Sequence, residues 1–78
     1  MKCPICKTID PENTLIEKSR THSDEFYYFY CLYGCDSFTM EQTAYHRMKE
    51  IHFSDQQRQR LIEIALERVI EFNDLETL

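Results

Sequence analysis

The stretches Cys3-Pro4-Ile5-Cys6 and Cys31-Leu32-Tyr33-Gly34-Cys35 decide the fold of this chain. Each pair of cysteines closes a tight loop, here called a knuckle, whose two thiols point to the same side. Residues 7–30 separate the pairs, and a β-hairpin within them would bring the two knuckles together. Four thiolates that converge in this way are typical ligands of a tetrahedral Zn²⁺ ion. The spacing therefore predicts one zinc site.

The predicted ligands are Cys3, Cys6, Cys31 and Cys35. Four protein ligands fill a tetrahedral site and leave no position for water or substrate, so we expect the zinc to be structural. The one glycine of the chain, Gly34, falls inside the second knuckle, where a positive φ angle is expected. Metal binding at such sites contributes on the order of 10 kcal/mol to folding. We expect removal of zinc to unfold this part of the chain.

A chain of 78 residues forms one domain at most, and its core alone rarely supplies more than about 5 kcal/mol of stability. The sequence predicts a small α+β fold with a zinc ribbon over residues 1–39 and a helical extension over residues 40–78 that packs on it. Strands are expected from Thr14 to Arg20 and from Glu25 to Cys31, because both stretches are rich in residues that favour strands.

The second of these strands is aromatic on both faces. Phe26, Tyr28 and Tyr30 share one face, whereas Tyr27 and Phe29 share the other, because side chains alternate across a strand. We expect helices to cover one face and a partner or a second protomer to cover the other. The alternative is that tyrosine hydroxyls allow one face to stay half-exposed without a partner.

Two helix starts are marked by the capping-box form Ser/Thr-x-x-Glu/Gln, at Thr39-Met40-Glu41-Gln42 and Ser54-Asp55-Gln56-Gln57. These predict helices over residues 40–52 and 55–72. Apolar residues cover about half of the circumference of the second helix, which predicts packing on the first helix and a homodimer through the remaining surface. The alternative is an intramolecular helical hairpin that closes over the sheet without a second copy. The apolar residues are Leu61, Ile62, Ala65, Leu66, Val69, Ile70 and Phe72.

Charge limits the class of partner. Fourteen acidic residues against nine basic ones give a net charge of -5, and a zinc ion with four thiolates adds two negative charges. Proteins that grip nucleic acid normally carry a basic surface, so nucleic acid is disfavoured and a protein partner is expected. The candidate contact residues are the strand residues Tyr27 and Phe29, the knuckle residue Tyr33, and the basic residues Lys18 and Arg20. The alternative for Tyr33 is that it packs over the knuckle.

Other function classes receive less support. We find neither a long apolar run for membrane insertion nor an export signal, so we expect a cytoplasmic protein. In a reducing compartment, paired cysteines more often bind metal than form structural disulfides. We find no constellation of acid, base or nucleophile, so we do not expect an enzyme.

Three alternatives for the cysteines receive less support than a four-cysteine zinc site. Iron could occupy the same four sulfurs, as in rubredoxin-like sites. A thiol redox centre would need a βαβ scaffold, for which the chain is too short. A mixed site could use His46 in place of one cysteine, although His46 and His52 lie six positions apart, which is not a ligand spacing on one helix face, and His22 falls in the predicted hairpin turn.

The Cys-Pro-x-Cys start, the aromatic strand that leads into the second pair, and Phe38-Thr39-x-Glu41 resemble the zinc-ribbon superfamily. More specifically, they are similar to the Ogr/Delta-type regulators of bacteriophages, short zinc-binding activators of late transcription. Ser19-Arg20-Thr21 is similar to an Arg-Thr-Ser stretch of that family, in altered order. The resemblance implies zinc ligation by the four cysteines.

Two functional hypotheses follow. The first is a phage-linked or bacterial zinc-binding adaptor that regulates nucleic-acid-handling or transcription machinery by protein contact, with the aromatic strand and the second helix as contact surfaces. Its acidic surface would steer it to a basic partner. The alternative is a DNA-binding transcriptional activator of the Ogr/Delta type, in which Lys18, Arg20 and His22 contact DNA and the helices contact RNA polymerase.

Overall fold

A computed structural model describes residues 1–19, 25–32 and 34–78 of the chain. Within these ranges the chain forms three strands followed by three helices, so the expected small α+β class is confirmed. The strands are β1 (Thr14–Ser19), β2 (Glu25–Cys31) and β3 (Asp36–Glu41), and the helices are α1 (Gln42–Met48), α2 (Asp55–Glu67) and α3 (Phe72–Glu76).

The strands form an antiparallel sheet in the order β1-β2-β3. Leu15 of β1, Phe29 of β2 and Phe38 of β3 lie side by side across it and point toward the core. Because side chains alternate along each strand, the neighbouring residues point away from the core. We call this second surface the outer sheet face, and it carries Ile16, Phe26, Tyr28 and Tyr30.

The third strand replaces the start of the predicted first helix. Thr39 lies inside β3, and the residue that precedes α1 is Glu41, whose side chain forms no capping hydrogen bond. Residues 37–41 alternate between polar and apolar side chains, and Phe38 and Met40 are only 2% and 0% exposed. The prediction of a helix start at Thr39 is therefore wrong. An alternation with a period of two residues favours a strand, which buries every second side chain against the core.

Both predicted helices are shorter than expected. The first ends at Met48 instead of residue 52. The second begins as predicted, because the Ser54 hydroxyl accepts a hydrogen bond from the Gln57 amide and the Gln57 side chain accepts one from the Ser54 amide. It ends at Glu67 instead of residue 72, and the short helix α3 follows.

The C-terminal segment explains why α2 stops early. Ile70 lies parallel to Met40 at the edge of β3, where its amide donates to the Thr39 carbonyl and its carbonyl accepts from the Glu41 amide. This pairing needs an extended chain, and the φ angle of Arg68 is accordingly -163°. Ile70 is fully buried, so the pairing both closes a sheet edge and completes the core.

The core lies between the inner sheet face and the helices. The rings of Tyr27 and Tyr45 meet edge to face at 5.0 Å, and the rings of Phe29 and Phe38 lie 5.6 Å apart. Tyr27 and Phe29 are only 7% and 0% exposed, so neither is available to a partner in this fold. Their assignment as contact residues is corrected, because the helices cover the face on which they lie.

Candidate metal centre

The first knuckle is shaped by backbone hydrogen bonds around Cys3. Its amide donates to the Thr8 carbonyl at 3.0 Å, and its carbonyl accepts from the Lys7 amide at 3.0 Å. Lys7, directly after Cys6, has a φ angle of 64°, in the left-handed region. This reversal closes the loop and turns both cysteines of the pair to the same side.

The second knuckle also has a left-handed residue directly after its second cysteine. Cys31 is the last residue of β2, and Cys35 directly precedes β3. Gly34 has a φ angle of 102°, which confirms the conformation expected of this glycine, and Asp36 has a φ angle of 56°. Lys7 and Asp36 thus occupy equivalent left-handed positions, each directly after the second cysteine of its pair.

The two knuckles bring the four predicted cysteines together. The sulfur atoms of Cys3, Cys6, Cys31 and Cys35 all lie within 4.8 Å of one another, so the group could hold a metal ion. The Cys6 and Cys31 sulfurs are 3.7 Å apart. Four sulfurs at about 2.3 Å from a tetrahedral ion lie about 3.8 Å from each other, whereas a disulfide joins sulfurs at about 2.05 Å. The distance between Cys6 and Cys31 suits a shared ion, and the four cysteines are free thiols in this structure.

The negative charge of the cysteine thiolates also favours a bound cation. A hydrogen bond from Cys35 lowers the pKa of Cys3 to about 5, and the same hydrogen bond, together with burial, raises the pKa of Cys35. Negative charge on Cys3 and Cys6 raises the pKa of Cys35 further. Four thiolates cannot all ionise side by side without compensation, and a divalent ion supplies it.

Asn13 joins the two knuckles beside the cysteine cluster, and sequence reasoning missed it. Its side-chain amide donates to the Thr8 carbonyl at 3.2 Å and to the Met1 carbonyl at 3.0 Å, and its oxygen accepts from the Leu32 amide at 3.0 Å. The residue is only 4% exposed. No motif marks it, because its partners are backbone atoms that only the folded chain brings near.

Lys7 connects the first knuckle to helix α1 and was also missed. Its ammonium group donates to the Pro4 carbonyl at 2.8 Å and to the Met48 carbonyl at 2.5 Å, and lies 5.2 Å from the centre of the Phe53 ring. Burial lowers the pKa of Lys7, and the neighbouring charge of Lys2 lowers it further. A cation on a carbonyl at the end of α1 also suits the helix dipole.

The remaining predicted residues do not join the cluster. His46 and His52 are exposed and lie outside the cysteine group, which gives no support to a mixed site with His46. Lys18 belongs to β1, but its side chain lies outside the described structure, as do Arg20, His22 and Tyr33 entirely. Their assignments as contact residues stay predictions.

The structure shows which of the predicted apolar residues of α2 are exposed. Leu61 and Ile64 of α2 are buried, whereas Leu66 is 82% exposed. The homodimer through this helix stays a prediction, now centred on Leu66. No helix in the described ranges is both long and apolar enough to cross a membrane.

Comparison of the chain with protein-family models, with curated proteins and with solved structures gave no match.

Proposed function

We propose that this chain is a small zinc-binding protein in which Cys3, Cys6, Cys31 and Cys35 hold one structural Zn²⁺. The observation that carries the proposal is the convergence of four sulfurs within 4.8 Å, three of them on buried residues. All-sulfur tetrahedral sites favour zinc or iron. Zinc is the better fit, because the four thiolates complete its coordination and the proposal requires no electron transfer.

The proposed zinc acts on folding and not on catalysis. Cys3 and Cys6 precede β1, whereas Cys31 and Cys35 flank the turn between β2 and β3, so one ion ties the N-terminal loop to the sheet. With four protein ligands the ion keeps no open position for substrate. We infer a non-enzymatic role.

Metal substitution tests the site. We expect Co²⁺ to bind in place of zinc at one ion per chain, with the visible absorption of a tetrahedral cobalt site and a sulfur-to-metal charge-transfer band. Cys31→Ser should weaken both signals and the affinity, whereas Ser37→Cys, at an exposed position of β3, should leave them unchanged. Retention of the full spectrum by Cys31→Ser would remove Cys31 from the ligand set.

We further propose that the protein acts as an adaptor by contact with another protein. Two observations support this proposal. The outer sheet face exposes Ile16 at 47% and Tyr30 at 43%, and Leu32 beside it at 42%. The net charge of -5 favours approach to a basic protein, such as one that handles nucleic acid.

A matched pair of variants tests the adaptor role. The double variant Ile16→Ser with Tyr30→Ser removes apolar surface from the outer sheet face, and Ile9→Ser removes a side chain that is 73% exposed elsewhere. We expect wild type and Ile9→Ser to retain the same basic protein from host lysate and the double variant to lose it. Retention of DNA at about 150 mM salt, with no protein retained, would favour the transcriptional activator instead.

A further inference from the structure

A cavity of about 370 Å³ opens between the first knuckle and helix α1. Its volume falls within the range of small-molecule sites in proteins. Three lysines line it, and the described lining contains no carboxylate, although it includes Cys3 of the proposed, negatively charged zinc–thiolate centre. The lining residues are Met1, Lys2, Cys3, Pro4, Lys7, Tyr45 and Lys49.

The three lysines of the cavity take no part in the ion pairs of the described residues. Each arginine in the described structure pairs with a carboxylate three positions away, as Arg47 does with Glu50 and Arg60 with Glu63. The three lysines of the cavity form no ion pair with any described residue. Positive charge is thus gathered at one concave place, although acidic residues predominate in the chain as a whole.

Tyr45 adds a neutral donor to the cavity. Its ring is buried against Tyr27, and the Lys49 ammonium lies 5.2 Å from the centre of the ring. Burial raises the pKa of Tyr45, so its hydroxyl keeps its proton. No described residue forms a hydrogen bond with that hydroxyl, which leaves it available to a bound molecule.

The three lysine ammonium groups differ in the number of hydrogen bonds that they already donate. Lys7 already donates to two backbone carbonyls, so one of its three hydrogens remains. Lys2 and Lys49 are exposed and donate to no described residue, so all of their hydrogens are available. Ammonium groups act as point charges on phosphate oxygens, and a phosphate group accepts several such bonds at once.

We propose that this cavity binds a compact small molecule that carries a phosphate group, held by Lys2, Lys49 and the Tyr45 hydroxyl, with Lys7 as a fixed third cation. The site goes beyond the proposed zinc and adaptor roles. A small ligand suits it better than a nucleic acid, because the net charge of -5 repels a long polyanion, whereas a single phosphate group can enter the local basic cavity.

Titration of the full-length, metal-loaded protein tests the proposal. The probes are inorganic phosphate, adenosine monophosphate and a short single-stranded DNA, followed by backbone and side-chain NMR shifts at constant ionic strength. We expect saturable shifts at Lys2, Tyr45 and Lys49 with adenosine monophosphate, and weaker affinity for the DNA. Metal content is measured on each sample, so that loss of the zinc site is recognised separately.

Charge-matched variants decide whether the cavity is responsible. The double variant Lys2→Gln with Lys49→Gln should weaken binding by about tenfold or more, and Tyr45→Phe by several-fold. The double variant Arg47→Gln with Arg60→Gln removes the same charge outside the cavity and should change affinity by less than about twofold.

Three results would overturn the proposal. The first is the absence of saturable shifts with phosphate and adenosine monophosphate, in which case the lysines only offset the charge of the thiolates. The second is equal weakening by the lysine and arginine double variants, which would mean general attraction to positive charge. The third is tighter binding of the DNA at the same residues, which would make nucleic acid the ligand.

Discussion

The sulfur atoms of Cys6 and Cys31 lie 3.7 Å apart, although the two residues are 25 positions apart in the sequence. This approach joins the first knuckle to the end of β2. The β1–β2 hairpin, in which Thr14 pairs with Tyr30, closes most of this loop. Asn13 adds hydrogen bonds between the two knuckles, and the proposed zinc ion would add bonds to both.

Replacement of Asn13 should weaken the junction. Asn13→Ala removes three hydrogen bonds and leaves the Leu32 amide and the Thr8 carbonyl with one partner fewer. We expect the free energy of unfolding in saturating zinc to fall by about 2–3 kcal/mol. Asn73→Ala, at an exposed position of α3, is the control and should cost less than about 0.5 kcal/mol. Similar urea midpoints for both variants would mean that the hydrogen bonds of Asn13 contribute little to the free energy of unfolding.

Gly34→Ala tests the backbone of the second knuckle. A methyl group at this position would meet no atom within 4 Å, so only the φ angle of 102° opposes it. We expect a loss of roughly 1–2 kcal/mol in thermal or urea unfolding. Asp36→Gly is the converse variant, because it relieves a left-handed residue, and it should stay within about 1 kcal/mol of wild type. A larger loss for Asp36→Gly than for Gly34→Ala would contradict this account.

Lys7→Met should loosen the contact between the first knuckle and α1. The variant keeps the apolar stem but loses the hydrogen bonds to the Pro4 and Met48 carbonyls. We expect the metal-loaded protein to lose about 1–3 kcal/mol, measured by urea unfolding. Lys49→Met removes the same charge but only a contact with the Tyr45 ring, so its loss should stay below about 1 kcal/mol. Equal losses would assign the effect to net charge alone.

Asp74 gives a pH-dependent prediction at the C-terminus. Arg68 donates two hydrogen bonds to its carboxylate, and the Glu71 amide donates another at 2.7 Å. The hydrogen bonds from Arg68 are the main reason that the pKa of Asp74 is lowered. A carboxylate with a lowered folded-state pKa adds stability that is complete above its unfolded pKa of about 3.9. This contribution is lost as pH falls through the folded value.

Asp74→Asn should therefore destabilise the protein by about 1 kcal/mol, by the same amount at every pH from 5 to 8. Below about pH 4 the difference from wild type should shrink, because Asp74 becomes protonated in wild type. Urea unfolding at a series of pH values measures this difference. Glu63→Gln, which removes an exposed pair with Arg60, is the control and should have little effect. A stability difference between wild type and Asp74→Asn that grows toward low pH would contradict this prediction.

Local signals predicted the cysteine group, the hairpin and one helix start. The knuckle spacing is specific because its residues act within a few positions of one another, and the Ser54 capping box works in the same way. Thr39 shows the limit of such signals. Its capping-box pattern overlaps the alternation of β3, and burial of Phe38 and Met40 decided between the two.

Long-range contacts set the features that the sequence did not reveal. The alternation of side chains along β2 predicted which residues share a face. It did not predict which face is buried, because the packing of the helices places Tyr27 and Phe29 inside. Ile70 belongs to the apolar pattern of a helix, yet it pairs with β3 once the chain folds back. Lys2 and Lys49 meet at one cavity because the first knuckle packs beside α1.

Metal content combined with chelation tests the central claim most directly. Protein purified without added metal is analysed by mass spectrometry for zinc and iron, and its circular dichroism is followed as a strong chelator is added. We predict one zinc ion per chain and loss of the folded signal when the ion is removed, with recovery on return of zinc. A chain without stoichiometric metal, or one that keeps its fold in the chelator, would contradict the account.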